Sequence, residues 1–84
     1  MGDGDEAWQR AEALDLTGLK CPLPALLTEK ALRRLAGGAY LAITVTDPMA
    51  PLDLRHVCQR DGHAVVAQAA SAHGQRLLIR KAGA

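Results

Sequence analysis

The sequence predicts an α/β (α+β) two-layer sandwich of order βαβαββ, a mixed four-stranded sheet with two helices on one face. Three observations lead there. Two segments of helical period, each opened near prolines and closed by glycine, alternate with short runs that read as strands. Apolar residues make up 49% of 84 residues, enough for one small core. Trp8 and Tyr40 are the only aromatics, so that core must be built from Leu, Val, Ile and Ala.

The elements follow in chain order. Residues 1–10 are polar and acidic and read as a mobile tail with Trp8 frayed; residues 11–82 form the domain. Residues 11–16 make the first strand, with Leu14 and Leu16 on one face. Gly18 permits a turn that delivers Cys21 to a helix start. The first helix runs over 22–35 and stops at Gly37-Gly38. Pro24, Leu27, Thr28, Ala31, Leu32 and Leu35 form its inward stripe, with Glu29, Lys30, Arg33 and Arg34 opposite. Leu23 and Leu26 fall on the polar arc, an exposed apolar spot beside Cys21 that suits partner docking.

Residues 40–46 alternate, with Leu41, Ile43 and Val45 inward, and should lie parallel to the first strand through a right-handed crossover. Asp47-Pro48 marks a turn, and Asp47 is a candidate cap for the second helix. That helix spans 50–60 and ends at Gly62, with Pro51, Leu54, Val57 and Cys58 inward. Residues 63–70 form a third strand, 71–74 turn, and 75–81 pair back with Leu77 and Ile79 inward.

Net charge is +1, and residues 13–84 carry nine bases against five acids, a weak nucleic-acid signal without any lysine/arginine run. Stacking aromatics for RNA are confined to Tyr40, so no direct nucleic-acid partner is expected. No apolar stretch of about 18 residues exists, so no membrane partner is expected either. Two cysteines do not make a disulfide framework, and the acidic start lacks a secretory apolar region, which together read as cytoplasmic. No cofactor is expected and no metal: Cys21, His56, Cys58 and His63 contain no Cys-x-x-Cys pair. His63 reads as a surface or packing residue.

The chemistry therefore centres on Cys21. Pro22 and Pro24 suit the first helical turn and frame the thiol at the positive end of the helix dipole. That position, with Lys20 adjacent, predicts a thiol more acidic than the ordinary value of about 8.5, hence a reactive nucleophile. Cys58 falls mid-helix on the buried face and reads as core.

Four stretches carry a resemblance: Leu14-Asp-Leu-Thr-Gly-Leu-Lys-Cys-Pro-Leu-Pro24, Thr46-Asp-Pro48, Asp61-Gly-His63 and Leu78-Ile-Arg-Lys81. Across residues 13–82 the chain resembles the TusA/SirA-like sulfur carrier family, whose Cys-Pro-x-Pro signature opens the first helix after a short strand. The resemblance implies that Cys21 holds sulfane sulfur as a persulfide and passes it on, a sulfurtransferase-type carrier rather than a multiple-turnover enzyme. It implies a cysteine desulfurase or rhodanese-type donor and a DsrE-like or other acceptor protein. The routes it implies are tRNA 2-thiouridine synthesis, sulfur oxidation or related sulfur metabolism. Position x, often polar in that family, is Leu23 here, which bears on partner choice. The alternative is a non-catalytic RNA- or protein-binding regulatory module.

Overall fold

The computed structural model describes residues 3–83. The chain runs α1 Asp3–Arg10, β1 Glu12–Leu16, α2 Leu23–Arg34, β2 Tyr40–Val45, α3 Ala50–Asp61, β3 Ala64–Ala70 and β4 Gln75–Arg80. The sheet order is β1-β2-β4-β3, with β1 parallel to β2 and the other two pairings antiparallel. The predicted βαβαββ order stands, with one helix added in front.

Period-two alternation sets the main core. Leu16, Leu41, Ile43, Val45, Leu77 and Ile79 meet Ala31 and Leu32 of α2 and Ala50, Leu54 and Cys58 of α3. Each large side chain buried this way contributes about 1.5–3 kcal/mol. Thr28 is also fully buried, its hydroxyl without a hydrogen-bond partner among the described residues, a cost of about 1–3 kcal/mol.

Both helices of this layer carry proline in the first turn, where the missing N–H costs nothing. Helix α2 ends on Arg33 and Arg34, cations suited to the negative end of the dipole. Helix α3 ends at Gly62, whose φ of 81° needs glycine. Two inward assignments change. Leu27 is 36% exposed, because the buried arc of Pro24, Thr28, Ala31 and Leu32 centres about 90° away at 100° per residue. In α3 Ala50 is buried, while Pro51 is only half-buried.

The larger difference lies at the N-terminus. Residues 1–2 lie outside the described residues, but Asp3–Arg10 is a helix and not an irregular tail. It packs on the other face of the sheet, where Ala7 and Trp8 meet Ala42, Leu78, Tyr40 and Ala67. Trp8 is docked, with the Arg76 guanidinium 4.5 Å from its ring centre, and Arg10 stands 5.8 Å from that of Tyr40.

Strand β3 is an edge with a bulge: Val65 pairs with Ile79 and Ala67 with Leu78, leaving Val66 extra and exposed. Among the described residues no helix is long and apolar enough to cross a membrane.

Candidate functional site

Strands β1 and β2 run parallel, so the loops that follow them leave the sheet at the same end. The first loop carries Gly18 and Cys21, the second Thr46 and Asp47. Gly18 turns with φ of 82°, and Asp15 accepts hydrogen bonds from the Thr17 amide and hydroxyl, fixing the chain's exit from β1. The second loop then clasps the first. The Gly18 amide donates to Thr46 Oγ1 at 2.8 Å, and the Cys21 amide donates to Asp47 Oδ2 at 2.8 Å. The other oxygen of Asp47 accepts the Met49 amide at 3.0 Å, so one carboxylate ties Cys21 to the start of α3. Those bonds from Met49 and Cys21, with the charge of Lys20, hold the Asp47 carboxyl below its usual range.

Cys21 is exposed and free, and its bond to Pro22 is cis. Asp53 lies in the first turn of α3. The hydrogen bond to Asp53 is the main influence, followed by desolvation and the charges of Asp53 and Asp47, and together they raise the thiol above its ordinary value. The expectation of a thiol made more acidic by Lys20 and the helix start is thus reversed. The reason is local: Pro22 and Pro24 have no N–H, and the Leu23 amide is donated to the Lys20 carbonyl at 2.9 Å. The helix start therefore presents few donors to the sulfur. Lys20 exerts its charge on Asp47 instead.

Leu23 and Leu26 are 46% and 53% exposed, on the arc beside Leu27. Sequence reasoning missed Met49 and Leu52, which are equally exposed; the Met49 amide shares the Asp47 carboxylate with that of Cys21. It also missed Asp53; the available signal was an acid in the first turn of the second helix. Asp47 was legible as a turn and cap residue and as part of the Thr46-Asp-Pro48 stretch, but not as the acceptor of the Cys21 amide.

Cys58 is not part of this site. It is buried beneath α3, and desolvation pushes its thiol up to about 11. His63 accepts the Ala82 amide at 2.9 Å through Nδ1, a packing role. Among the described residues no three His, Cys, Asp or Glu side chains cluster as a metal site.

An exposed thiol on a pinned loop, with apolar side chains exposed on the neighbouring helix turns, can act as a nucleophile toward another macromolecule. Comparison with known proteins narrows that chemistry. Proteins of two Neisseria meningitidis strains, serogroups A and B, each match at 45% identity over 56 residues, 67% of this chain and 76% of theirs. Their names mark them as candidate sulfur carriers. The sulfur carrier protein TusA of Pseudomonas entomophila is 38% identical over 68 residues, 81% of this chain and 85% of its own. In fold, the chain matches the crystal structure of a SirA-like protein from Desulfitobacterium hafniense. The TM-score is 0.71 at 22% identity, covering 86% of this chain and 97% of that one. The family model for sulfurtransferase TusA matches residues 12–81, and the chain belongs to that family of sulfur carriers.

Proposed function

We propose that this protein carries sulfur as a persulfide on Cys21, taking it from a donor protein and handing it to an acceptor. The observation that carries the reading is the exposed Cys21 thiol on a loop held at two points by Thr46 and Asp47. A thiol attacks the outer sulfur of a donor persulfide, one S–S bond forms as another breaks, and no oxidant is consumed. Gly18, Pro22 and Pro24 position the sulfur. Leu23 and Leu26, with Leu27, Met49 and Leu52, form the apolar rim on which donor and acceptor dock in turn.

A cysteine desulfurase or rhodanese-type donor and a DsrE-like acceptor suit this role, in tRNA 2-thiouridine synthesis, sulfur oxidation or a related route. A cytoplasmic setting fits such a relay, since a reducing environment keeps the unloaded thiol free.

Intact-protein mass spectrometry tests the proposal. After incubation with glutathione persulfide, the wild type should gain about 32 Da per sulfur atom, reversed by reductant, while Cys21→Ser gains nothing. The Leu23→Asp, Leu26→Asp double variant should still load from this small donor and load far more slowly from a protein donor. An unloaded wild type under conditions that load a control thiol would sink the carrier reading.

A further inference from the structure

We propose that Asp47 is a positioning residue of sulfur transfer between proteins: its one carboxylate fixes Cys21 relative to the exposed start of α3, so that a partner seated on Met49 and Leu52 meets the sulfur at a set place. The inference rests on the persulfide reading of Cys21 and adds a residue that acts through the Cys21 backbone.

Little else holds the sulfur in place. Among residues 17–22 only Leu19 packs against the core; Thr17, Gly18, Lys20, Cys21 and Pro22 are exposed. Among the described residues two side-chain hydrogen bonds reach this loop from the second one. The bond from Gly18 ends on the neutral Thr46 hydroxyl, whereas the bond from Cys21 ends on a carboxylate and is of the stronger, charge-assisted kind. Asp47 is itself anchored. Its carbonyl accepts the Ala50 amide at 3.0 Å, its Oδ1 accepts the Met49 amide, and Pro48 between them restricts the backbone. Oδ2 therefore holds the Cys21 amide from a fixed point on the helix start. Met49 caps α3 and Leu52 lies in its first turn, 53% and 49% exposed.

Transfer between two proteins makes this anchoring matter. An interface fixes the donor's outer sulfur in space, and a misplacement of about 1 Å in the acceptor can cost on the order of 100-fold in rate. A small persulfide carries no such constraint, since it can approach an exposed thiol from any open side. The exchange is the same in both cases. An S–S bond forms to Cys21 as the donor's bond to the transferred sulfur breaks, the electron pair stays on the donor thiolate, and the Cys21 proton ends there. Asp47 supplies no atom, proton or electron to it. Its charge is among the causes that raise the Cys21 thiol, so removing it does not hinder the attack.

The test compares a small donor, glutathione persulfide, with two protein donors, a cysteine desulfurase supplied with cysteine and a rhodanese charged by thiosulfate. In Asp47→Asn the carboxamide keeps one acceptor oxygen, enough for Met49, and sets an N–H against that of Cys21; Asp47→Ala loses both bonds. Both variants should load from glutathione persulfide at least as fast as the wild type. The maximal rate of loading from a protein donor should fall about tenfold or more, with its half-saturation concentration within about twofold. Hydrogen exchange should quicken at the Cys21 amide and not at the Gly18 amide, which Thr46 still holds. Slowing with both kinds of donor, an unchanged protein-donor rate in Asp47→Ala, or Gly18 losing protection together with Cys21 overturns the inference and leaves the carrier reading standing. So does a wild type that loads from glutathione persulfide but from neither protein. A wild type that is alkylated at Cys21 by iodoacetamide yet never gains sulfur removes both.

Discussion

Two thiols in one small chain are raised by different causes, and the difference is testable. Cys21 is exposed and raised chiefly by its hydrogen bond to Asp53, whereas Cys58 is pushed to about 11 by burial. A cysteine whose folded value lies above its unfolded one favours folding while it stays protonated. For Cys58 that contribution is whole below about pH 8.5 and is lost as pH rises through about 11. Denaturation midpoints measured across that interval should fall in the wild type and fall less steeply in Cys58→Ala. Identical slopes would mean that Cys58 does not titrate against folding. The burial of Cys58 was legible from its place on the apolar stripe. The upward shift of Cys21 was not, because its first cause is Asp53, which lies 32 positions away in sequence.

At the scale of elements, the clasp between the two loops matters more than either loop alone. Its bonds join residues 28 and 26 positions apart, Gly18 with Thr46 and Cys21 with Asp47, and no local pattern encodes such pairings. The clasp has a support behind it. Gly74, in the turn between β3 and β4, packs so closely that an added Cβ would collide with the Val45 carbonyl oxygen and stand 2.8 Å from Thr46 Cα. Gly74→Ala should lower the thermal midpoint by roughly 5–20 °C, from an overpacking cost of about 1–3 kcal/mol. It should also speed hydrogen exchange at the Gly18 and Cys21 amides. Gly83→Ala, where a Cβ meets open space, is the matched control and should melt like the wild type. Equal midpoints for the two variants would refute the close packing.

The whole molecule has two covered faces where the sequence suggested one. Its opening residues are too polar and too few for an independent helix, since isolated helices shorter than about 12–15 residues are marginal in water. Only the outer face of the sheet, through Ala42 and Leu78, makes α1 worth forming. A signal was present in the last strand: Leu77, Leu78 and Ile79 are consecutive and all buried, as expected of a strand covered on both sides. The rest of the layer order was legible because proline, glycine and period-two alternation punctuate each element. Trp8, the sole tryptophan, reports on α1 directly. Its fluorescence and the far-ultraviolet circular dichroism should melt in one coincident transition. A tryptophan transition well below the other would place α1 outside the cooperative unit.

The extra residue in β3 bears on how copies behave when crowded together. Ala64–Ala70 contains no charged side chain, so the strand lacks the lysines that usually discourage growth of a sheet from its rim. Val66 breaks the regular spacing of donors and acceptors along that rim. A neighbouring chain therefore cannot zip onto all seven residues in register, and a kink in the backbone does the work that charge does elsewhere.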